Sequence, residues 1–412
     1  MKKQIAISAC ILSLFLRMAG LSFATSGDTV KFKEFRLSNG LTVILHEDPT
    51  SPVVAVGLWY KVGSKNEASG KTGFAHLFEH YMFEGDAYSD SGDYFKYLLG
   101  MGGEVNANTW YDRTYYYAVV PPGGVEEVLR LESNRMATLR EKINEDALNK
   151  QRKIVKNEKR MRENQPYAEE NKQIDTIGWG NPSHPYGHNG NGVIGSMEDL
   201  DSASTEDVRR FHKMYYAPNN AILAVSGAHD SNETLWKIQK WFGAIPSGPN
   251  PPRVEVPNWQ STGYGKVTLR DDKVKSARVT MMYLFPGIGK PGNAELPVIS
   301  ALLGGGRSSR LIDSLQYKKQ IVTSVGSGAM LLQETSMLLI QAVPAPGFSP
   351  EQVEKAVTEE IELFIQNGAS NAEMKRVKAQ MRTQQLDSMQ EAENMASVLT
   401  EGKAIGNTGQ FN

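Results

Sequence analysis

Apolar and polar positions alternate along the first part of the chain with the two-residue period of β-strands. The stretch Phe35 to His46 alternates around the turn sequence Ser38-Asn39-Gly40, and the apolar, β-branched run Val53 to Val62 follows it. These patterns predict paired strands joined by short turns. Three further segments have strand-like composition: residues 105–109, 114–120 and 220–226.

Helical spacing occupies the intervals between these strands. Apolar residues recur three and four positions apart in several segments, as expected for helices that bury one face. The segments are residues 75–82, 94–99, 124–140, 144–163 and 233–242. The mixture of strands and helices predicts an α+β fold.

A proline-rich segment divides the chain. Residues 246–257 carry the sequence SGPNPPRVEV between two prolines, a composition that sustains neither a helix nor a central strand. We therefore place an interdomain linker there, between an N-terminal domain at residues 27–245 and a C-terminal domain at residues 258–412. Two domains are also the default expectation for a chain of 412 residues.

The second domain is similar to the first in sequence, which indicates an internal duplication. Residues 276–284 are similar to 51–60, residues 336–346 to 114–122, and residues 371–394 to 144–167. The strand near residue 220 and the helix near residue 233 have no counterpart in the second copy. We therefore expect the C-terminal domain to be incomplete.

The first 24 residues have the organisation of a secretory signal peptide. Lys2 and Lys3 precede an apolar stretch from Ile5 to Leu16, and Ser22-Phe23-Ala24 forms a small-x-small cleavage site. Because the apolar stretch is too short to span a bilayer, cleavage is favoured over a retained membrane anchor. We expect a periplasmic or secreted protein with no stable membrane insertion.

Composition narrows the possible chemistry. The only cysteine, Cys10, lies within the predicted signal segment, so metal ligands in the mature chain must be His, Asp or Glu. The formal net charge is -1 for the whole chain and -4 once Lys2, Lys3 and Arg17 of the signal segment are removed. Such a charge provides no basic field for nucleic acid.

The motif His76-Leu77-Phe78-Glu79-His80 lies in the first predicted helix. Histidines at positions i and i+4 share one helix face, about 6 Å apart at Cβ, and that geometry suits a metal ion. A catalytic zinc requires three protein ligands and a water molecule, so another donor must come from elsewhere in the chain. We interpret His184 and His188 as loop residues, because the proline and glycine between them prevent a regular helix.

The helix predicted at residues 144–163 offers a third donor. Its apolar stripe consists of Ala147, Leu148, Ile154, Val155 and Met161. Glu158 falls on that stripe, and an inward carboxylate costs several kcal/mol unless it is paired or metal-bound. Glu158 is therefore the candidate third ligand. Gln151 shares the stripe and is expected to orient a ligand through a hydrogen bond.

These residues also have ordinary structural interpretations. The two histidines can be core residues, and Glu158 can be a buried acid that pairs with Arg152 or Lys159. We prefer the metal site, because a single zinc ion accounts for four polar residues together: His76, Glu79, His80 and Glu158.

At these residues the chain resembles peptidase family M16, which includes pitrilysin, insulysin and the mitochondrial processing peptidases. The inverted H-x-x-E-H motif carries the resemblance. Further family-like blocks extend it over Val30 to Asn394: LSNGLTVILHED, GGEVNANTWYDRTYYY, IVKNEKR, YYAPNNAILAVSG and GGGRSSRL. The resemblance implies two homologous α/β-sandwich domains with antiparallel-rich sheets, of which the first binds Zn²⁺ and the second is metal-free.

The resemblance also implies the roles of individual residues. They are zinc ligands His76, His80 and Glu158, general base Glu79, and substrate-binding residues Asn106, Ala107 and Arg310. In the family, a peptide adds as an extra strand to the edge strand that contains Asn106 and Ala107, although an ordinary loop and strand remains the alternative here. The chain departs from the family twice: Gln151 stands where a glutamate is common, and Thr323 stands where a tyrosine follows the substrate-binding arginine.

The resemblance therefore implies a zinc-dependent endopeptidase that hydrolyses peptides or unfolded polypeptides bound as an extended strand. Two alternatives stay open: a non-catalytic peptide-binding or scaffold subunit of an M16 heterodimer, and a cytoplasmic peptidase of cofactor synthesis, which the signal segment disfavours. The absent tyrosine and the incomplete second domain lead us to expect a homologous, zinc-free M16 subunit as partner.

Overall fold

The computed structural model describes residues 30–180, 183–257 and 265–406, so the predicted signal segment at residues 1–24 lies outside the described residues. The strands are, in chain order, β1 (Lys33–Arg36), β2 (Thr42–Glu47), β3 (Val54–Tyr60), β4 (Glu104–Thr109), β5 (Thr114–Val120), β6 (Ala221–Gly227), β7 (Val279–Pro286), β8 (Val322–Met330) and β9 (Thr335–Pro344). The six strands predicted for the first half are confirmed to within two residues at either end.

The α-helices are α1 (Phe74–Tyr81), α2 (Asp93–Gly100), α3 (Val125–Thr138), α4 (Glu145–Glu163), α5 (Ala168–Gln173), α6 (Met197–Ser202), α7 (Thr205–Tyr215), α8 (Ser231–Phe242), α9 (Leu296–Gly304), α10 (Pro350–Asn367), α11 (Asn371–Ser388) and α12 (Ala392–Ala404). The five helices predicted for the first half are confirmed, whereas α5, α6 and α7 were not predicted. Helices of the described residues lack the length and apolar character that crossing a bilayer requires.

Six strands form one sheet in the order β1-β2-β6-β3-β5-β4. Neighbouring strands are antiparallel except β2 and β6, which confirms the prediction of an α+β fold with an antiparallel-rich sheet. The predicted hairpin of β1 and β2 is present, and its turn uses Gly40 with a φ of +91°. Strand β3 pairs with β5 and β6 rather than with β2, since the chain inserts β6 between them.

Helices cover both faces of this sheet. On one face, α1, α3, α4, α7 and α8 enclose the larger hydrophobic core. On the other face, α12 packs through Met395, Ala396 and Leu399 against strand residues that include Trp59 and Ile222. Because both faces are covered, every residue of the central strands β3 and β6 is buried. This burial explains why their sequences are continuously apolar instead of alternating.

The chain divides into two compact units. The six-stranded unit comprises residues 30–164, 183–255 and 386–406 of the described chain, and the three-stranded unit comprises residues 165–180, 256–257 and 265–385. One boundary follows Glu255, within the predicted linker.

The structure corrects the predicted domain ranges at two places. Residues 165–180 belong to the three-stranded unit, and residues 386–406 belong to the six-stranded unit. The second assignment follows from the apolar side of α12, which lies against the six-stranded sheet. Sequence similarity between the two halves could not show this change of partner, because similarity reports the type of an element and not the face on which it packs.

The sheet of the three-stranded unit has the order β7-β9-β8, with both pairs antiparallel. In the six-stranded unit, strands β3, β5 and β4 are adjacent in the equivalent order β3-β5-β4. This correspondence agrees with the predicted duplication. The segment at 165–180 is bound to this sheet by Glu170, which accepts hydrogen bonds from Arg278 (2.7 Å) and from Thr280.

We expect the contact between α12 and the sheet to contribute measurably to stability. Leu399 is 1% exposed in that core, whereas Leu386, in α11, is 43% exposed. Leu399→Ala should lower the free energy of unfolding by about 2–4 kcal/mol through the cavity it leaves. Leu386→Ala, the matched control, should lower it by less than about 1 kcal/mol. Urea unfolding followed by circular dichroism measures both, and equal effects would contradict the packing of α12 on the sheet.

Candidate metal centre

Helix α1 begins at a fixed point, which sets the direction of its histidines. Gly73 precedes the helix with a φ of +85°, and a Cβ at this position would lie 2.6 Å from the carbonyl oxygen of Ile194. The buried carboxylate of Glu67 accepts the backbone N–H groups of Gly73 (2.8 Å) and Ala75 (2.7 Å). Burial raises the pKa of Glu67 well above its usual range, while these hydrogen bonds act in the opposite direction.

One turn of α1 separates His76 from His80. Their ring centroids lie 4.9 Å apart and the ring planes are nearly perpendicular, at 89°. His76 is buried, while about a quarter of the His80 side chain is exposed (25%). One histidine of the pair is therefore buried in the core and the other is accessible to solvent, as expected for a metal site that a substrate must reach.

Helix α4 carries the third predicted ligand. Asn144 caps its first turn by accepting the N–H of Ala147 (2.9 Å). The residues Leu148, Gln151 and Val155 are buried, and Glu158 continues their spacing of three and four positions.

The stripe predicted for α4 is partly wrong. Ile154 is 40% exposed and Met161 is 67% exposed, so neither contributes to the buried face. The face that selects Glu158 is defined instead by Leu148, Gln151 and Val155. Ile154 lies about 100° around the helix from Val155, which turns it away from the core.

The three predicted ligands converge at one point. The Nε2 atoms of His76 and His80 lie 3.4 Å and 3.5 Å from the same Oε2 atom of Glu158. The three ligand atoms all lie within 4.8 Å of one another, and no other group of His, Cys, Asp and Glu side chains does so among the residues described. Ligands of a tetrahedral zinc, at about 2.0–2.2 Å from the ion, are about 3.3–3.5 Å apart. The two nitrogen–oxygen separations therefore fit a zinc ion.

The electrostatic environment favours the metal-binding forms of His76 and Glu158. Burial lowers the pKa of His76 to about 4, so the imidazole is neutral at pH 7. The hydrogen bond from His80 is the largest influence that lowers the pKa of Glu158 to about 2, and the carboxylate is charged. Arg162 also pairs with Glu158 and adds to this effect. A neutral imidazole and an ionised carboxylate are the forms that bind a metal ion.

Glu79 lies on α1 between the two histidines. Its Oε2 atom accepts a hydrogen bond of 2.7 Å from the hydroxyl of Thr109, the last residue of β4. Burial raises the pKa of Glu79, while the Thr109 hydrogen bond acts in the opposite direction. Thr109 was not predicted from the sequence. The only sequence sign of its role was its place two residues after Ala107, on the same side of the strand.

Gln151 has a different partner from the one predicted. Its amide donates a hydrogen bond to the buried carboxylate of Glu84, and Lys150 forms an ion pair with the same oxygen at 2.7 Å. The prediction that Gln151 hydrogen-bonds to a zinc ligand is therefore corrected. The amide fixes the position of α4 relative to the residues that follow α1, because Glu84 lies just beyond that helix.

Asn106 and Ala107 lie in β4, which is the last strand of the six-stranded sheet. The N–H of Trp110 bonds to the carbonyl of Arg113, so even-numbered residues of β4 pair with β5 and odd-numbered residues direct their backbone groups outwards. The N–H of Ala107 is bonded to the side chain of Asn106 (2.8 Å), in agreement with an outward direction. The predicted edge strand is present, and its binding of substrate stays a prediction.

Arg310, the third predicted substrate-binding residue, lies in the three-stranded unit. Its guanidinium donates two hydrogen bonds to Glu373 (2.6 and 2.9 Å) and one to the carbonyl of Gly368 (2.6 Å). It also lies over the ring of Phe364. These contacts hold Arg310 within its own unit, so a role in binding substrate, which stays a prediction, would compete with them.

His184 and His188 occupy loop positions, as predicted. The Nδ1 atom of His184 accepts the N–H of Tyr186 (3.1 Å), and the ring of His188 hydrogen-bonds to the carbonyl of Ser64 (2.5 Å). His188 also lies 3.8 Å from the Glu67 carboxylate that caps α1. His188 therefore supports the loop before α1, whereas the contact of His184 lies within its own loop. Glu67 was not predicted, because its contacts with α1 depend on a loop conformation that has no sequence period.

Two family descriptions match the chain. "Insulinase (Peptidase family M16)" matches residues 42–183, which include all four residues of the H-x-x-E-H and Glu158 set, and "Peptidase M16 inactive domain" matches residues 202–381. The chain belongs to peptidase family M16.

Relatives in the family are named zinc proteases. Zinc protease PqqE of Helicobacter pylori is 27% identical over 399 residues, which cover 94% of this chain and 87% of that protein. The protein named Uncharacterized zinc protease YmxG of Bacillus subtilis is 25% identical over 350 residues and covers 85% of this chain and 82% of its own length. These names support a peptidase class with zinc as its metal.

Solved structures share the fold. A protease from Helicobacter pylori superposes with a TM-score of 0.84 and 26% identity, covering 92% of this chain and 91% of that one. The periplasmic protease PqqL from Escherichia coli gives a TM-score of 0.74 at 19% identity, with 93% of this chain matched to 43% of that protein. The mixed fold with two domains is thus the fold of M16 peptidases.

Removal of a single ligand should abolish zinc binding. We expect His76→Ala, His80→Ala and Glu158→Ala each to weaken zinc affinity by more than about 100-fold. Loss of a residue that only hydrogen-bonds to a metal ligand already weakens metal affinity by up to about 100-fold, and loss of the ligand itself should weaken it more. Glu163→Ala, which removes a carboxylate from the same helix, is the matched control and should keep one zinc per chain. Elemental analysis after dialysis measures the content. Full occupancy in Glu158→Ala would remove this residue from the site.

Proposed function

We propose that this chain is a zinc-dependent endopeptidase that hydrolyses peptides or unfolded polypeptides bound as an extended strand. The convergence of His76, His80 and Glu158 at the separations of a tetrahedral zinc site is the observation that carries the proposal. Membership of family M16 and relatives named zinc proteases support it. A zinc ion at such a site polarises the scissile carbonyl and acidifies a bound water molecule.

Glu79 is the residue that moves protons in this proposal. The Thr109 hydroxyl donates its hydrogen bond to the Oε2 atom of Glu79. The Oε1 atom is therefore the one that accepts a proton from the attacking water. The water oxygen bonds to the scissile carbon, and the proton then passes from Glu79 to the leaving nitrogen as the carbon–nitrogen bond breaks. General acid–base assistance of this kind is worth typically about 10² to 10⁴ in rate.

The outer edge of β4 offers a binding site for the substrate backbone. Val105, Ala107 and Thr109 direct their backbone groups away from β5, so an extended peptide can pair with them as a further strand. The Asn106 side chain bonded to the N–H of Ala107 would exchange that contact for one with the peptide. Because backbone pairing ignores side chains, this mode of binding suits many sequences.

Two other functions are less well supported. A non-catalytic peptide-binding or scaffold subunit would need neither an intact ligand set nor a base between the ligands, yet His76, Glu79, His80 and Glu158 are all present. A cytoplasmic peptidase of cofactor synthesis would need no signal sequence. We propose a periplasmic or secreted location instead, on the basis of the signal-like composition of residues 1–24.

Replacement of the base tests the proposal directly. Glu79→Gln should keep one zinc per chain and lower kcat for a peptide library by about 10² to 10⁴, because the amide cannot accept the proton. Glu163→Gln on α4 is the matched control and should cleave at the rate of the unmodified protein. Mass spectrometry of the digest measures both. Chelation should abolish cleavage and added zinc should restore it, so activity that persists in protein shown metal-free by elemental analysis would refute the mechanism.

We also propose that a homologous, zinc-free M16 subunit is the partner of this chain. Strand β7 lies at one end of its sheet and, within the described residues, pairs on one side only. Its sequence VTMMYLFP contains no charged residue, and an uncharged apolar edge favours pairing with another strand. Because Glu373 holds Arg310, a partner would also supply an arginine for the substrate.

Reconstitution tests the partner proposal. The purified chain alone should cleave peptides weakly or not at all, and addition of a zinc-free homologue from the same organism should raise the rate at least about tenfold as the complex forms. Light scattering on the same samples reports the assembly. If the monomeric chain cleaves as fast as the mixture, no partner is required.

A further inference from the structure

The carboxylate of Glu79 has one hydrogen-bond partner among the residues that the structure describes. This partner is the hydroxyl of Thr109, which donates to Oε2 at 2.7 Å. Thr109 is the last residue of β4, and β4 is the edge of the six-stranded sheet. The strand on which a peptide would bind therefore ends in direct contact with the residue that would move the proton.

The backbone and the side chain of Thr109 face different partners. Trp110 donates its N–H to the carbonyl of Arg113, so Thr109, one residue earlier, directs its own N–H and C=O to the open edge. Its hydroxyl meanwhile reaches Glu79 on α1. The backbone of Thr109 is thus part of the open edge, and its side chain contacts the Glu79 carboxylate.

We propose that Thr109 is a positioning residue that fixes the Glu79 carboxylate for proton transfer and ties its orientation to the strand that binds substrate. The inference rests on the proposed function and adds a residue to it. It is independent of which peptide is cleaved, because it involves only the hydroxyl of Thr109 and the carboxylate of Glu79.

The physical basis is the freedom of an unanchored carboxylate. The terminal torsion of a glutamate is broad, so a free Glu79 would rotate among many orientations. The Thr109 hydroxyl anchors Oε2 and leaves Oε1 in one direction, which preorganises the acceptor. A peptide paired with the backbone of Thr109 would further restrain that hydroxyl. Substrate binding would then steady the base as well as hold the peptide.

Three variants separate positioning from packing. Thr109→Val removes the hydroxyl and keeps the shape and strand propensity, whereas Thr109→Ser keeps the hydroxyl. Thr50→Val is the matched control, since Thr50 donates a hydroxyl to the carboxylate of Asp48 at 2.6 Å in an exposed turn. All are compared with the unmodified protein, with its partner added if cleavage requires it.

We expect Thr109→Val to lower kcat by about 10- to 100-fold, as for loss of a hydrogen bond to a charged group. KM should change less than about threefold, and zinc content should not change. Thr109→Ser should recover kcat to within about threefold, and Thr50→Val should match the unmodified protein. An unchanged kcat in Thr109→Val, or equal losses in the valine and serine variants, would overturn the proposal.

A spectroscopic readout tests Thr109 without turnover. The infrared difference between the unmodified protein and Glu79→Gln identifies the carboxylate stretch of Glu79. This band should shift in Thr109→Val and remain in place in Thr109→Ser, because only the valine removes the hydrogen bond. An unshifted band in Thr109→Val would overturn the contact. If the unmodified protein cleaves no peptide even with the zinc-free partner added, while the band shifts as expected, the proposed function fails and the positioning contact stands.

Discussion

Burial of metal-binding side chains between α1 and α4 is the constraint on which the rest of the site depends. His76 is 5% exposed, and its Nδ1 atom is buried without a hydrogen-bond partner within the described residues. Such a group costs about 1–3 kcal/mol, which a bond between Nε2 and a metal ion would offset. Contacts outside the ligand set hold the two helices in place. Glu67 fixes the start of α1 and Asn144 fixes the start of α4.

The same sheet that supports the site must be covered on both faces. The central strands β3 and β6 are buried at every position, so an uncovered face would expose apolar residues to water. The second face is covered by α12, which lies near the C-terminal end of the described chain and far from these strands in sequence. The six-stranded unit is therefore complete only when residues 386–406 are in place, and its stability depends on a contact of long sequence separation.

The sequence predicted those features that have a local period or a fixed spacing. The strands and helices of the first half and the convergence of His76, His80 and Glu158 belong to this class. Features that depend on tertiary contacts were not predicted. Short helices such as α6 have too few turns to show a period, and the exposure of Ile154 depends on which face of α4 meets the core. The hydroxyl of Thr109 could not be assigned to Glu79, because no sequence rule relates the end of an edge strand to a helix thirty positions earlier.

The amide at position 151 is explained by the carboxylate that it meets. The Glu84 side chain is 7% exposed and forms an ion pair with Lys150 at 2.7 Å. A glutamate at position 151 would place a second carboxylate against it, where like charges repel each other and the Glu84 oxygen would lose its amide donor. The neutral Gln151 amide instead donates a hydrogen bond to the Glu84 carboxylate and adds no negative charge beside it. Lys150 and Gln151 thereby join α4 to the residues after α1, and the departure from glutamate preserves the contact that positions Glu158.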